Sequence, residues 1–412
     1  MKTKSWRWNA SALATLLIVG LVACPTPVVD PPGVADNDGI PDSAEVPGST
    51  LGGLDLYAMG ARVGQRDIFL EIDNMVSNEA KLNPQKVALD KFVAAFAAKN
   101  IVLHIDVGNA FSPNFDPANY NLGNTSRLLP FSQSITLAPK AGFASVQALK
   151  AQHFNSARNQ VFYYMVLGSS QNADGTAGSS GLAEIVGNDS LVTFGGWGLN
   201  TSSETKINQL NNIMSSTMMH EFGHNLGLRH GGDENKNFKP NYISIMNYMY
   251  QLDCIGPSTG TGVADRYFYN FDSSKYPESS LTNNARSANC AIDFSNGSST
   301  GLNENALNEN AGMGRGVAFV DWDDNGVAQT SLSLNLNPQP VNQGGDTVKN
   351  NLDDHNDWSN IKLLPFSNLG KADLRTLSLK QIQAPVSNIN QEISEETPPN
   401  QEYFEHLHEG HK

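Results

Sequence analysis

The chain has 412 residues, of which 39% are hydrophobic and 17% are charged, and its formal net charge at pH 7 is -14. This length allows one large domain or two ordinary ones, and the hydrophobic content is normal for a globular core. The negative net charge argues against nucleic acid as a partner and against a basic membrane-binding surface.

The N-terminus predicts an exported protein. Basic residues near the start precede the apolar run ASALATLLIVGLVA, which is too short for a comfortable transmembrane helix and is typical of a signal peptide. The run ends at Cys24 in the tetrapeptide LVAC, which resembles the bacterial lipobox. The resemblance implies a signal at 1–24 and a lipidated Cys24. We therefore expect a cell-surface or outer-membrane lipoprotein, held to the membrane only by its lipid anchor or released from it. The alternative is a plain signal peptide with an incidental cysteine.

A Pro- and Asp-rich tether follows at 25–65 and contains the acidic stretch ADNDGIPDSAE at 35–45. Carboxylates around a glycine turn are hard oxygen ligands of the kind that calcium prefers. The stretch resembles one truncated copy of the calcium loops in thrombospondin type 3 repeats. Its candidate Ca²⁺ ligands are Asp36, Asp38, Asp42 and Glu45. A solvated acidic turn without metal is the alternative.

Strands and helices are predicted to alternate in the next part of the chain. Short apolar runs indicate strands, and apolar residues at helical spacing indicate helices. The predicted strands are 66–72, 101–107, 161–167 and 190–197, and the predicted helices are 84–100, 144–158 and 203–226. Ser203 is a suitable N-cap for the last of these helices. The alternation predicts an α/β sheet with helices packed on its faces.

The segment HEFGHNLGLRH, residues 220–230, predicts a metal centre. His220 and His224 are four residues apart and share one helix face, and Glu221 projects toward the same cleft, where it can reach a water at the metal. Gly227 tolerates positive φ, so it can end the helix and bring His230 back as a third ligand. Three protein ligands leave one coordination position open, which is the catalytic arrangement for zinc. The alternative is a helix with incidental histidines. It would have to explain the whole set of His220, Glu221, His224, Gly227 and His230.

This H-E-x-x-H-x-x-G-x-x-H pattern resembles the signature of the metzincin metalloproteases, and among them the pappalysin-like group. The resemblance implies an α/β catalytic domain at 66–270 with a twisted mixed sheet, a long active-site helix and a methionine turn. It also implies a Zn²⁺-dependent endopeptidase that acts on protein or peptide substrates, with Glu221 as the general base. The strand LVTFGG, ahead of the long helix, fits the edge strand with which peptide substrates pair in that family.

The segment SIMNY at 244–248 resembles the methionine turn of the same family. The resemblance implies that Met246 forms an apolar floor under the histidines and is not a ligand. Tyr248 matches a tyrosine that some metzincins place near the metal, where it can hydrogen-bond the oxyanion in the transition state. In other metzincins this position is structural, so both roles of Tyr248 stay open.

The pattern loosens toward the C-terminus, and we expect a loop-rich extension of the catalytic domain at 271–380 and a polar, disordered tail at 381–412. Cys254 and Cys290 form an even pair in an exported chain, which predicts one disulfide. Two free thiols or a metal-binding pair are the alternatives.

A second acidic stretch, DWDDNG at 321–326, matches the first half of an EF-hand loop through Asp321, Asp323 and Asn325. The twelfth position of that loop is Leu332 instead of a glutamate, so a Ca²⁺ site and a polar turn both stay open. The stretch LDDHNDW at 352–358 is interpreted as a solvated loop, with another ligand cluster as the alternative.

Taken together, these features favour a zinc endopeptidase over two rivals. One rival is a non-catalytic surface lipoprotein that keeps the metal site as a structural element. Such a protein usually loses the glutamate or a ligand, and both are retained here. The other rival is a calcium-stabilised carbohydrate-binding lipoprotein, which would need aromatic platforms or repeats that are not evident in the sequence. Zinc content distinguishes the endopeptidase from the carbohydrate-binding lipoprotein, and peptide hydrolysis distinguishes it from the non-catalytic lipoprotein.

Overall fold

The computed structural model describes residues 36–111, 119–123, 128–256, 262–338, 344–363, 392–394, 398–399 and 403–404. The predicted signal peptide with Cys24, the first part of the tether and most of the predicted tail lie outside the described residues. Within the described part of the chain, no helix is both long enough and apolar enough to cross a membrane.

Strands and helices alternate through the first half of the chain, as the sequence predicts. The strands are β1 (Arg66–Met75), β2 (Ile101–Asp106), β3 (Leu128–Leu129), β4 (Ile135–Thr136), β5 (Ala144–Ser145), β6 (Phe162–Gly168), β7 (Gly181–Glu184), β8 (Asp189–Thr193), β9 (Leu302–Asn303), β10 (Asn351–Leu352) and β11 (Ile393–Ser394). The helices are α1 (Lys86–Ala97), α2 (Val146–His153), α3 (Glu204–Asn225), α4 (Tyr248–Gln251), α5 (Asp265–Phe271) and α6 (Asp357–Asn360).

A seven-stranded mixed sheet lies at the centre, in the order β11-β7-β8-β6-β1-β2, with β3 paired to the C-terminal end of β1. Strands β1, β2, β3, β6 and β8 are parallel. Strand β7 runs antiparallel to β8, and β11 runs antiparallel to β7. The architecture is therefore a mixed α/β fold, as predicted.

Strand β6 illustrates why the middle of the sheet is buried on both faces. All of its residues are buried, and successive side chains point to opposite sides of the sheet. Tyr163 and Met165 pack into the main core with α1 and α3, whereas Tyr164 and Val166 pack into a second core with Val146 of α2. The sheet thus holds α3 on one face and α2 on the other.

Some sequence predictions are wrong in detail. The predicted helix at 144–158 begins later and ends at His153, because Ser145 lies in β5 and caps α2 by accepting a hydrogen bond from the Ala148 amide. The strand at 190–197, expected at the sheet edge, corresponds to β8, which lies between β6 and β7. Strand β7 was not predicted, because its sequence GLAE is too short to give a strand pattern.

The C-terminal region completes the main core. Leu302, Met313 and Trp322 are buried in the same hydrophobic cluster as α1 and α3. From α3, Asn212 donates hydrogen bonds to the carbonyls of Ala285 and Ser287, at 2.7 and 2.8 Å. This region therefore covers the side of α3 that faces away from the sheet.

The predicted disulfide joins Cys254 to Cys290 across a sequence separation of 36 residues. Lys91 on α1 donates a hydrogen bond to the Cys290 carbonyl at 2.9 Å. The bridge thus ties the segment after α4 to a loop that itself packs against α1. On the chain-entropy model such a bridge contributes about 3–4 kcal/mol to stability.

Candidate metal centre

Helix α3 carries the HExxH segment and starts with clear local signals. The Ser203 side chain accepts a hydrogen bond from the Lys206 amide, and Glu204 lies in the first turn, where its charge interacts favourably with the helix dipole. Every residue from Gln209 to Asn225 is buried, because the sheet covers one side of α3 and the C-terminal region covers the other. The second half of α3 is therefore a rigid support.

Three histidine rings meet beside this half of α3. His220 and His224 are buried and His230 is half-buried. The Nε2 atoms of His220 and His224 are 3.1 Å apart, and one ring nitrogen from each of the three histidines lies within 4.8 Å of the others. Tetrahedral zinc with bonds of about 2.0–2.1 Å places its nitrogen ligands roughly 3.3 Å apart. The donor set therefore fits zinc in chemistry and in spacing.

Backbone carbonyls hold the other nitrogen of the two helical histidines. His220 Nδ1 lies 2.7 Å from the Ile245 carbonyl oxygen, and His224 Nδ1 lies 2.8 Å from that of Leu228. A protonated Nδ1 donates these bonds, which leaves Nε2 with its lone pair directed away from the backbone. Both rings thus have the orientation that a metal ligand through Nε2 would need.

Gly227 ends α3 in a Schellman-type turn. Its φ is +99°, in a range that favours glycine. The Leu228 amide donates to the Gly223 carbonyl and the Gly227 amide donates to the His224 carbonyl, both at 2.9 Å. The helix therefore stops within one turn of His224, as the position of this glycine predicts.

The chain then reverses tightly and returns His230 to the helix. Arg229 and Gly232 bond through their backbones in both directions, at 2.7 and 3.0 Å, so that His230 lies in the turn between them. Its ring centroid is 5.0 Å from that of His224 and 5.4 Å from that of His220. A position off the helix thus supplies the third nitrogen of the cluster.

Glu221 is fully buried and faces β7. A Cβ atom at Gly181, the first residue of β7, would overlap the Glu221 carboxylate, so glycine is needed for this close approach. Asn225, one turn further along α3, donates hydrogen bonds to the carbonyls of Glu184 and Asp189, both at 3.0 Å. These contacts place β7 against the part of α3 that carries Glu221 and Asn225.

Met246 and Tyr248 lie on the other side of the cluster. Met246 is fully buried, and its sulfur is so close to Gly223 that a Cβ there would overlap it. Gly223 lies between the two helical histidines in sequence, so the sulfur packs directly against that part of α3. The Tyr248 ring centroid is 4.5 Å from that of His230 and 6.0 Å from that of His220.

Two residues that sequence reasoning did not select organise the segment around Met246. Asn247 accepts hydrogen bonds from the Phe238 and Met249 amides and donates to the carbonyls of Lys239 and Tyr242. Its side chain thus closes the loop through four backbone groups. A central amide in a tight loop is hard to distinguish in sequence from any exposed asparagine.

Asp357 is the second of these residues, and it corrects the interpretation of 352–358 as a solvated loop. It is fully buried, and it accepts hydrogen bonds from the hydroxyls of Tyr242 and Ser244 and from the Ser295 amide, at 2.7 to 2.9 Å. Burial raises the pKa of Asp357 to about 7. The C-terminal region therefore supports the Met246 loop through this carboxyl group.

The predicted acidic stretch of the tether folds against the start of β1. Two overlapping groups of carboxylates form there, Asp36 with Asp42 and Glu45, and Asp38 with Glu45 and Asp67. Sequence reasoning did not select Asp67, which lies beyond the acidic stretch. The only sequence signal is an acidic residue at the second position of a predicted strand, which is too weak to identify a ligand.

In the second acidic stretch, Asp321 and Asp323 converge with Glu309, whose carboxylate accepts hydrogen bonds from the Trp322 and Gln329 amides. Asn325, a predicted ligand, instead donates a hydrogen bond to Asp323 at 2.9 Å. A Ca²⁺ site at this stretch stays a prediction.

A mixed sheet, a buried helix with three clustered histidines and an adjacent glutamate are together the features of a zinc-dependent peptidase. Residues 117–231 match the model of Metallo-peptidase family M12B Reprolysin-like. The matched segment contains β6, β7, β8, α3 and all three histidines, and the match supports a zinc metalloprotease. Comparison with curated proteins found no match.

Proposed function

We propose that this protein is a zinc-dependent endopeptidase. The observation that carries the proposal is the convergence of His220, His224 and His230. The buried Glu221 follows His220 in the same helix and approaches the first residue of β7. Three imidazole donors form a catalytic type of zinc site, because they leave a coordination position for substrate or water. The family match over 117–231 supports a zinc metalloprotease.

The chemistry divides between the metal and the chain. Zinc, when bound, supplies Lewis-acid polarisation of the scissile carbonyl and of the attacking water. We propose that Glu221 accepts the proton of that water and delivers it to the leaving amine. The carbonyls of Ile245 and Leu228 keep the histidine rings oriented throughout, through their contacts with His220 and His224.

Tyr248 and Met246 complete the proposed site. The Tyr248 hydroxyl is proposed to donate a hydrogen bond to the oxyanion, since its ring borders His230. Met246 is proposed to be the residue of a methionine turn, because its sulfur supports α3 at Gly223. Placement in the pappalysin-like group stays a prediction, because the family match supports only the metalloprotease class.

The proposal is tested by hydrolysis of an unfolded protein substrate, with zinc measured on the same sample. We expect one bound zinc per chain, loss of hydrolysis on removal of zinc with a chelator, and recovery when zinc is returned. Bound zinc without hydrolysis would support the non-catalytic surface lipoprotein. A folded chain that binds no zinc would contradict both the endopeptidase and the lipoprotein with a structural zinc site.

A further inference from the structure

The carboxylates beside the start of β1 form a buried group of like charges. Asp38, Glu45 and Asp67 are almost completely buried, with exposed fractions of 0%, 1% and 1%. Their oxygens lie within 4.8 Å of one another, and Asp36 and Asp42 form an overlapping group with Glu45. Burying several carboxylates together costs free energy unless a positive charge or hydrogen-bond donors compensate them.

Most of these carboxylates have donors, but Glu45 does not. Asp38 accepts hydrogen bonds from the Ile40 and Asp67 amides, at 2.7 and 2.8 Å. Asp67 accepts from the Arg62 amide at 3.0 Å and pairs with His104 at 2.6 Å. Among the described residues, neither oxygen of the Glu45 carboxylate has a hydrogen-bond partner, although both are buried. Glu45 therefore lies among the other carboxylates without a hydrogen-bond donor from the described residues.

The electrostatics of the group agree with this geometry. Burial, followed by repulsion from Asp38 and Asp36, raises the pKa of Glu45 to about 8. Burial also raises the pKa of Asp38 above its usual value. A cation among these side chains would stabilise the charged carboxylates and lower both pKa values.

We propose that Asp36, Asp38, Asp42, Glu45 and Asp67 bind a calcium ion. Several carboxylates with flexible spacing suit Ca²⁺, which takes six to eight oxygen ligands, better than Mg²⁺, which requires a strict octahedron. The role of the site is to fasten the tether to the catalytic sheet, because Asp67 belongs to β1 and the other four ligands belong to the tether. Ile40 and Ala44 of the tether already pack in one core with Phe69 and Phe162 of the sheet.

The test is thermal unfolding of the zinc-loaded full chain in calcium-depleted buffer, with and without CaCl₂ and with MgCl₂ as the control ion. We expect saturating Ca²⁺ to raise the Tm by on the order of 5 °C, and Mg²⁺ to raise it less. In Glu45→Gln, which keeps the side-chain shape, the Ca²⁺-dependent rise is lost. In Asp321→Asn, which alters the second acidic stretch, the part of the rise that depends on Glu45 is retained.

Calorimetric titration of Ca²⁺ provides a second measurement that needs no unfolding. Asp36→Asn, at a less buried carboxylate, is expected to weaken binding about tenfold. No Ca²⁺ effect on the wild type, an equal effect in Glu45→Gln, or a loss of the effect only in Asp321→Asn would each overturn the site.

A second inference concerns β11 and is independent of the calcium site. It rests on the proposed function. Ile393 and Ser394 pair antiparallel with Glu184 and Ala183 of β7, and the Ile185 amide donates to the Glu392 carbonyl at 2.8 Å. Strand β7 is the strand that begins beside Glu221. An extended peptide that binds beside the metal centre would use the same backbone edge of β7.

Further contacts join this segment to the turn that carries His230. Arg229, the residue before His230, donates from Nη1 and Nη2 to the two oxygens of the Glu392 carboxylate, both at 2.5 Å. Beyond the strand, Tyr403 and Phe404 contact the Trp197 ring, at centroid distances of 6.2 and 5.1 Å. Besides its pairing with β7, the C-terminal segment is thus attached at Arg229 and at Trp197.

We infer that residues 392–394 act as an intramolecular inhibitor that occupies the substrate-pairing edge of β7. Tethering gives this segment a high effective concentration, roughly in the millimolar range, so a few backbone hydrogen bonds are enough to exclude a free peptide. The Arg229–Glu392 pair is partly exposed and contributes mainly to register. Activity would then require release of the segment.

The test compares the full chain with the double variant Glu392→Lys/Ser394→Pro, which removes the ion pair and a backbone donor of β11. Both are made in a Glu221→Ala background and titrated with a fluorescent peptide of the sequence NQEISEETPP. We expect the double variant to bind this peptide about tenfold more tightly. Glu79→Lys, a charge reversal at another surface ion pair, serves as the control and should leave binding unchanged.

With Glu221 restored, the double variant is expected to hydrolyse peptides about tenfold faster than the unaltered chain. Equal peptide binding by both chains would overturn the inhibitory role, whatever the hydrolysis result. Tighter peptide binding by the double variant without hydrolysis in either chain would keep the inhibitory role and contradict the proposed function.

Discussion

Replacing Glu221 with alanine is expected to lower peptide hydrolysis by about 10²–10⁴-fold, the range typical for loss of a general base. Zinc should stay bound, because the three histidines and the carbonyls that orient two of them are untouched. The measurement is kcat/KM for a peptide substrate together with zinc content and Tm. Glu221→Gln provides a second variant with nearly unchanged packing.

The matched control is Glu204→Ala, a glutamate in the exposed first turn of the same helix. It should leave hydrolysis unchanged and cost at most a few tenths of a kcal/mol through the helix dipole. Full activity in Glu221→Ala would show that another group accepts the proton, and the assignment of the base would then be wrong.

Replacing Tyr248 with phenylalanine is expected to lower kcat by about 10²–10³-fold with little change in KM, as for loss of one oxyanion donor. The phenylalanine ring can keep the contacts with His230 and His220, so zinc content should be unchanged. The measurement is steady-state kinetics on the zinc-loaded enzyme, which separates kcat from KM.

Tyr250→Phe is the control for a structural hydroxyl nearby. The Tyr250 hydroxyl donates to the Pro240 carbonyl at 2.5 Å, and its ring is buried. Its loss should lower stability by about 1 kcal/mol and leave kcat unchanged. If Tyr248→Phe behaves in the same way as this control, Tyr248 has the structural role that the sequence left open.

The corrections to the sequence analysis have a common physical origin. Strand β7 has four residues with no apolar alternation of its own, and it is held in place by β8, β11 and contacts from Asn225. Asp357 lies in an acidic stretch that appears solvated in sequence, yet the Met246 loop surrounds it with donors. In both cases the decisive partners are distant in the chain.

The same reasoning applies to the carboxylates near β1. The tether contributes a local acidic pattern that is visible in the sequence, but Asp67 joins it only because the tether folds back onto the sheet. Among the described residues, the Glu45 carboxylate has no hydrogen-bond donor. This too depends on how the chain packs around Glu45 and not on the residues next to it in sequence.

What the sequence by itself determined was local: the strand and helix alternation, the cap at Ser203, the turn at Gly227 and the helical spacing of His220 and His224. These follow from steric and hydrogen-bonding preferences within a few residues of each position. The tertiary structure alone decided which strand lies beside Glu221, which segment pairs with that strand and which carboxylates meet. Those arrangements depend on packing between segments far apart in the chain, and no local preference encodes them.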